Sequence, residues 1–233
     1  MQSPLPEEDV MPKVRATISC SLDGFVAGPN QSVENPLGEN GERLHDWMFA
    51  TRAGRAMLGE EGGGTGIDND IVATHNEGIG AAIMGRNMFG PVRGAWPDHD
   101  WTGWWGENPP FHHDVFVLTH HLRPSVPMTG GTTFHFIAAA PEEALRQAFS
   151  AADGQDVRIA GGAATLRQFL RSGLIDELIL SVVPILLGSG ERLFDDLGTL
   201  PGYRVEVLAG SPAVSHMRIA RQEPDQHRDT AGG

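Results

Sequence analysis

The fold is decided by the stretch Val157-Arg158-Ile159-Ala160-Gly161-Gly162-Ala163-Ala164-Thr165-Leu166. Its first four residues have the pattern of a buried strand, and the residues after the two glycines have that of a helix. Glycines at such a turn let a phosphate approach the backbone, and the free amides of the first helical turn attract it. A Gly-Gly pair after a strand can also be only a tight turn. The stretch predicts a strand that runs directly into a helix, with a candidate pyrophosphate site between them.

Similar β-forming runs occur along the whole chain and alternate with segments of helical periodicity. The eight predicted strands are Val14–Cys20, Ala81–Met84, Val115–Thr119, Thr133–Ile137, Val157–Ala160, Leu178–Val183, Tyr203–Leu208 and Val214–Ala220. Strands separated by helices pair in parallel, whereas the turn Gly210-Ser211-Pro212 predicts an antiparallel hairpin at one edge. The pattern is that of an α/β domain with a central mixed sheet of about eight strands.

Two helices are expected to pack on this sheet. One begins at Pro141 and the other precedes Gly173, and their apolar faces are Leu145, Ala148 and Phe149 in the first and Leu166, Phe169 and Leu170 in the second. We expect a single domain over residues 13–222, flanked by polar, flexible tails at 1–12 and 223–233. Two insertions interrupt the rhythm, the glycine-rich Gly59–Gly66 and the tryptophan-rich Trp96–Pro110.

The composition narrows the classes of function. Seventeen basic against thirty acidic residues give a net charge of −13, and Lys13 is the only lysine, so neither nucleic acid nor an anionic membrane is an expected partner. The single cysteine, Cys20, excludes a disulfide scaffold. The acidic start of the chain does not read as a signal peptide, and no run has the ~18 apolar residues needed to span a bilayer, so we expect a cytoplasmic protein.

Two further strand ends carry groups suited to phosphate. Arg86, within Met84-Gly85-Arg86-Asn87-Met88-Phe89-Gly90, stands at the start of a short helix, where its guanidinium can form a fork to a phosphate or lie on the surface. The next strand ends in Thr119-His120-His121-Leu122-Arg123. Open α/β sheets bind ligands outside the carboxyl ends of their strands, so these segments converge on one predicted site.

The ten histidines raise the question of a metal site. Adjacent histidines, as in His112-His113 and His120-His121, point to opposite faces of a strand, and no His-x-x-x-His or Cys/His spacing completes a set of ligands. We therefore expect no metal.

Four segments, in order and with the last in two parts, resemble the reductases of bacterial riboflavin biosynthesis and their dihydrofolate-reductase-like relatives. Ile18-Ser19-Cys20-Ser21-Leu22-Asp23-Gly24-Phe25-Val26-Ala27-Gly28 is similar to their S-L-D-G-x-I-A signature, Gly85–Phe89 to G-R-x-T-F, and Ile159–Leu166 to the G-G-x-x-L loop. Gly173–Leu178 and Pro184–Phe194 resemble G-L-I-D-E-L and P-x-L-L-G-x-G-x-x-L-F. The resemblance implies a dihydrofolate-reductase-like three-layer fold, NADPH as cofactor and a homodimer.

The resemblance also implies roles for individual residues. Ser19, Val26, Ala27 and Gly28 would border the nicotinamide; Gly85, Arg86, Asn87 and Met88 would contact the pyrophosphate and ribose; Thr119, His120 and His121 would lie at the 2′-phosphate; and Gly161, Gly162, Ala163, Ala164 and Thr165 would hold the pyrophosphate. Arg123 would add charge near the 2′-phosphate, favouring NADPH over NADH.

The substrate is less sharply implied. Ala160 holds the place where riboflavin reductases commonly have an acidic residue before the Gly-Gly loop, and their Asp-Asp-Pro element is missing. The candidate acids are Asp46 in the first helix and Asp23 in the first loop, although Asp46 can equally be solvated and Asp23 a structural turn residue. We expect hydride transfer to a ribosylamino-pyrimidine or pterin-like substrate. The tryptophan-rich insertion would cover that substrate.

Three alternatives remain open. The first is a reductase of dihydrofolate or of another small C=N or C=O compound. The second is a non-catalytic nucleotide-binding dimer with the tryptophan-rich insertion as its binding surface. A zinc hydrolase that uses the histidines is the third.

Overall fold

The computed structural model of the chain describes residues 11–90 and 94–222. Residues 1–10 and 223–233, which contain most of the two predicted tails, lie outside this description. The described strands are β1 (Val14–Ser21), β2 (Phe25–Ala27), β3 (Ile79–Gly85), β4 (Asp114–Leu118), β5 (Val126–Pro127), β6 (Thr133–Ile137), β7 (Asp156–Gly161), β8 (Glu177–Val183), β9 (Glu191–Arg192), β10 (Tyr203–Gly210) and β11 (Ser215–Arg221). The α-helices are α1 (Asp46–Phe49), α2 (Arg52–Met57), α3 (Ile67–Ala73), α4 (Arg86–Phe89), α5 (Pro141–Ala151) and α6 (Ala163–Arg171).

Nine of these strands form one mixed sheet in the order β10-β11-β8-β1-β7-β3-β4-β6-β5. The six strands from β8 to β6 in this order pair in parallel, while β11 is antiparallel to β8, and β10 to β11. The short strands β2 and β9 pair separately. The expected mixed sheet with a hairpin at one edge is therefore confirmed.

One face of the sheet is covered by α5 and α6. The stripe Leu166, Phe169 and Leu170 of α6 is at most 2% exposed and packs with Ile83 and Ile159 of the sheet. The hydrophobic stripe predicted for the second helix is thus the face that it buries.

The opposite face has two separate covers. Over β8 and β11 lie α1 to α3, whose Trp47 and Val72 pack with Val183 and Val214. Over β3, β4 and β6 lies the tryptophan segment, residues 94–110, with Trp105 against Phe111 and Phe134. Between the two covers this face of the sheet is open.

The indoles of the tryptophan segment are anchored to their own chain. Trp96 Nε1 donates to the carbonyl oxygen of His121 at 2.7 Å, and Trp101 Nε1 donates to that of Phe89 at 2.9 Å. These bonds hold the segment beside the carboxyl ends of β3 and β4, which are the strand ends predicted to bind cofactor phosphates.

Candidate active site

A cavity of about 1150 Å³ lies between the two covers, along the carboxyl ends of the central strands. Among the residues that line it are all those predicted to bind cofactor except Gly28: Ser19, Val26, Ala27, Gly85, Arg86, Asn87, Met88, Thr119, His120, His121, Gly161, Gly162, Ala163, Ala164 and Thr165. Gly28 instead lies at a backbone crossing, where a Cβ would collide with the carbonyl of Glu39.

The Gly-Gly loop has the predicted strand-to-helix geometry. Gly161 ends β7 with a φ of +121°, a conformation that residues with a side chain rarely adopt, and Gly162 is the N-cap of α6. No side chain caps this helix, so its first amides face the cavity without a side-chain acceptor. The loop therefore presents backbone donors and the positive end of a helix dipole to the cavity.

A second contact shapes the same end of the cavity. Gly85 ends β3 beside α6, and a Cβ at this position would collide with the hydroxyl of Thr165. The absence of a side chain at Gly85 lets β3 and the first turn of α6 approach each other.

Arg86 brings an unpaired positive charge to the cavity. Its guanidinium lies over the ring of Trp96, and its three buried nitrogens have no hydrogen-bond partner among the described residues. Burial and the nearby Arg123 lower the pKa of Arg86 to about 10, so the group is still charged at neutral pH. A buried guanidinium without acceptors favours binding of an anion, because the anion supplies the missing hydrogen-bond acceptors.

Arg123, expected to add charge for the cofactor, has a different role. Its Nη1 and Nη2 donate to the carbonyls of Trp101 and His99 at 2.9 and 2.6 Å, and the side chain is only 8% exposed. It does not line the cavity. The expectation is corrected: the Nη groups of Arg123 bind carbonyls of the tryptophan segment and fix it, so Arg123 does not contact a ligand in the cavity, although its charge acts on Arg86.

Neither predicted acid lines the cavity. Asp46 is exposed at the start of α1. Asp23 accepts hydrogen bonds from the Ser21 hydroxyl at 2.6 Å and from the backbone N–H groups of Gly188 and Leu187 at 2.7 and 3.2 Å. These bonds, that from Ser21 foremost, lower the pKa of Asp23, so the structure assigns Asp23 to the loop rather than to proton donation.

The floor of the cavity away from the phosphate-type segments is polar. Ser19 of β1 is paired with Ser181 of β8, so their side chains lie on the same side of the sheet. Thr17 lies on that side too, because alternate residues of a strand share a face. Arg158 of β7 lies on that side too and also lines the cavity. Central strands buried on both faces normally carry apolar side chains, so this polar face indicates a binding surface.

Four residues around this floor have buried polar atoms with no partner among the described residues: Thr17 Oγ1, His45 Nδ1, His75 Nε2 and Arg158 Nε. All four residues line the cavity. Burial and, to a smaller extent, Arg158 lower the pKa of His75 to about 3, and burial lowers that of His45. Both imidazoles are therefore neutral at physiological pH and can each donate one hydrogen bond and accept another.

The charge of the cavity opposes that of the chain as a whole. Its described lining contains Arg86, Arg158 and four histidines but a single acidic residue, Glu191. An acidic protein with such a cavity can bind an anionic ligand through local groups.

Sequence reasoning did not find the polar floor. The available signal was Arg15, Thr17 and Ser19 at alternate positions of β1, and a single arginine in the apolar strand β7. Polar residues at a period of two in a central strand mark a polar face of the sheet.

Two absences concern the described residues alone. No group of three or more His, Cys, Asp or Glu side chains there is arranged to hold a metal ion. Among these residues, too, no helix has the length and apolar character that crossing a membrane requires.

The fold and the cavity define an α/β protein with a mixed nine-stranded sheet and a cavity along the carboxyl ends of its central strands. Residues 12–209 match the family described as the RibD C-terminal domain, and the chain belongs to that family. A protein ascribed to riboflavin biosynthesis in Shewanella sp. PV-4 has a similar structure, with a TM-score of 0.58, 21% identity, and coverage of 91% of this chain and 99% of that one.

Other similar proteins agree with the fold. A pyrimidine reductase-like protein from Corynebacterium diphtheriae has a TM-score of 0.53 and 15% identity, covering 94% of this chain and 96% of its own. YwjB of Bacillus subtilis, an uncharacterized protein, is 46% identical over 44 residues, or 19% of this chain. That match spans about a quarter of YwjB.

Proposed function

We propose that the protein is an NADPH-dependent reductase of a ribosylamino-pyrimidine or pterin-like substrate, of the 5-amino-6-(5-phosphoribosylamino)uracil reductase type. One observation carries the proposal: three strand ends suited to phosphate and a floor of unpaired polar groups line the same cavity. The family supports a reductase of the riboflavin-biosynthesis type.

The cofactor would occupy the end of the cavity nearest α6 and α4. Gly161–Thr165 and Gly85 would receive the pyrophosphate, because the amides at the start of α6 are uncapped. The segment Thr119–His121 would receive the 2′-phosphate. Arg86, which the resemblance assigns to the pyrophosphate and ribose, would instead join that segment, because the Trp96 indole contacts both Arg86 and His121. Reduced nicotinamide, when bound beside Ser19, Val26 and Ala27, supplies a hydride from its C4.

The substrate would lie over the polar floor with its reacting carbon towards the nicotinamide. Thr17, His45, His75 and Arg158 offer both hydrogen-bond donors and acceptors, which suit the polar edge of a pyrimidine or pterin ring. Trp47 and Met48 line the same cavity with apolar surface. This enclosure would orient the ring and exclude water from the reacting carbon.

NADPH titration tests the cofactor half of the proposal. We expect quenching of tryptophan fluorescence and a higher melting temperature with NADPH, because Trp104 and Trp105 line the cavity. NADH is the matched control, since it lacks only the 2′-phosphate. No spectroscopic change and no thermal stabilisation at millimolar NADPH would refute it.

Turnover tests the substrate half. NADPH oxidation is followed by absorbance with 5-amino-6-(5-phosphoribosylamino)uracil and, in parallel, with dihydrofolate. NADPH oxidation with the pyrimidine supports the proposal. NADPH oxidation with dihydrofolate alone would identify dihydrofolate as the substrate instead. NADPH binding without turnover of either would identify a nucleotide-binding module.

A further inference from the structure

A hydrogen-bonded chain of three side chains leads away from the floor of the cavity. Ser181 of β8 lines the cavity, and its Oγ lies 2.9 Å from Nδ1 of His216 on β11. The other ring nitrogen of His216, Nε2, lies 3.1 Å from Oδ1 of Asp68 on α3. The imidazole is completely buried, whereas the Asp68 side chain is 19% exposed.

The carboxylate fixes which nitrogen carries the proton. An ionised carboxylate only accepts hydrogen bonds, so Nε2 of His216 must be the donor to Asp68. In the neutral imidazole Nδ1 is then the acceptor, and the Ser181 hydroxyl donates to it. When His216 takes up a second proton, Nδ1 becomes a donor and the Ser181 hydroxyl is free to donate into the cavity.

Neighbouring residues hold the Ser181, His216 and Asp68 side chains in place. Trp47 lies edge-on to the His216 ring, with 5.0 Å between the ring centroids, and its Nε1 donates to Ser19 Oγ at 3.1 Å. Ser19 is the direct neighbour of Ser181 across the strands. The buried imidazole of His216 therefore reaches the cavity only through Ser181, whose direct neighbour Ser19 would border the nicotinamide.

No carboxylic acid is described on the polar floor of the cavity. Asp46 and Asp23 do not line the cavity, and Glu191, its one described acidic residue, lies on β9, which pairs with β2 outside the nine-stranded sheet that forms the floor. Reduction of a C=N or C=O bond nevertheless requires a proton as well as a hydride.

We propose that Ser181 and His216, supported by Asp68, deliver that proton, with Ser181 as the residue that touches the substrate. The inference rests on the proposed reductase function. The substrate carbon accepts a hydride from reduced nicotinamide, which becomes oxidised, and the electron pair of the double bond moves to the nitrogen or oxygen. That atom takes the Ser181 hydroxyl proton while Ser181 takes the Nδ1 proton, leaving His216 neutral. Cavity water reprotonates Nδ1 through Ser181 after the product leaves.

The rate of this step depends on the protonation of His216. The titratable groups shown around it are Asp68 from α3 and His75 beyond the end of α3. Trp47 from α1 and the two serines from β1 and β8 do not ionise in the working range. Asp68, whose Oδ1 lies 3.1 Å from Nε2, is the opposite charge nearest to the ring.

The first test is nitrogen-15 NMR of the imidazoles in the full chain, with and without NADP⁺, between about pH 5 and 9. We expect His216 to carry its proton on Nε2 when neutral and to gain one on Nδ1 as the pH falls. Asp68→Asn should lower the pH at which Nδ1 is half protonated. Asp70→Asn, which replaces an exposed carboxylate on the same helix, should leave that pH unchanged. A neutral ring protonated on Nδ1, or a ring that takes up no proton in this range, would overturn the proposal.

The second test is single-turnover hydride transfer with 5-amino-6-(5-phosphoribosylamino)uracil. Ser181→Ala should slow hydride transfer about 10²-fold. In the wild type the transfer rate should decline with rising pH, and His216→Gln should remove that decline. NADPH affinity should be unchanged in both variants. An unaltered rate and pH profile in both variants would refute proton delivery by this pair. A wild-type chain that binds no NADPH would instead refute the reductase function, and the NMR titration would still show whether the pair can hold and release a proton.

Discussion

Arg86 is the side chain on which the proposed preference for NADPH would depend. Its buried guanidinium has no acceptor among the described residues, so a 2′-phosphate would supply its missing partner. Arg86→Gln should weaken NADPH binding about 10- to 100-fold, corresponding to about 1.5–3 kcal/mol for a hydrogen bond to a charged group, and leave NADH binding nearly unchanged. Fluorescence titration with both nucleotides measures this. Arg55→Gln, which replaces an arginine outside the cavity, is the control. Equal losses of affinity for NADPH and NADH would show that Arg86 binds the pyrophosphate, which both nucleotides have, and not the 2′-phosphate.

His75 links the cavity to the pH dependence of stability. Its pKa is lowered from 6.5 to about 3 in the folded chain, first by burial and then by Arg158. Between these values the unfolded chain binds a proton that the folded chain does not, so the free energy of unfolding falls as the pH decreases from about 6.5 towards 3.

His75→Gln should make this decline shallower by up to one proton per molecule. Urea unfolding at a series of pH values measures the slope, and His99→Gln, in the exposed part of the tryptophan segment, should leave it as in the wild type. Equal slopes for the wild type and His75→Gln would show that His75 titrates normally in the fold.

The residues of the site divide into those that local sequence identifies and those that it does not. Gly161 and Arg86 follow apolar strands directly, so their place at strand ends can be predicted from the chain around them. Asp68, Ser181 and His216 come from three distant segments and meet only because β11 pairs antiparallel with β8 beneath α3. No local pattern encodes that meeting.

At the scale of elements, the contact between β3 and α6 sets the shape of the cofactor end. Gly85→Ala places a methyl group against the Thr165 hydroxyl and should destabilise the fold by about 1 to 3 kcal/mol. Thr165→Ala in the same chain should restore most of that loss, because it removes the colliding atom. Thermal unfolding of the two single variants and the double variant measures the coupling. Additive effects would show that Gly85 is required for a different reason.

The elements were predictable in proportion to their length. The eight long strands and the two helices α5 and α6 have enough residues for a period of two or 3.6 to appear, and the structure contains all of them. The strands β2, β5 and β9 have only two or three residues, and α1 to α4 only four to seven. Such segments contain at most two turns or one alternation, so sequence period alone does not determine them. Short helices were nevertheless expected at Asp46 and Arg86, where the structure has α1 and α4.

Within the described residues, β10 is the long edge strand of the nine-stranded sheet, and the two-residue β5 forms the other edge. Val205 and Val207, on the same side of this strand, are 64% and 76% exposed. Exposed apolar edge strands are usually covered, and a second copy of the chain would cover this one, in agreement with the expected homodimer. The edge is therefore the place to test that expectation.

Light scattering coupled to size-exclusion chromatography should give a dimer for the wild type and a monomer for the double variant Val205→Lys/Val207→Lys. Leu122→Lys is the matched control, because Leu122 is 63% exposed but follows β4, towards the opposite end of the sheet. Charges on β10 cost little in the monomer, where the valines already face water, so the variant should keep its melting temperature and its NADPH affinity. A wild type that remains monomeric at all concentrations, or a double variant that remains dimeric, would exclude β10 as the interface.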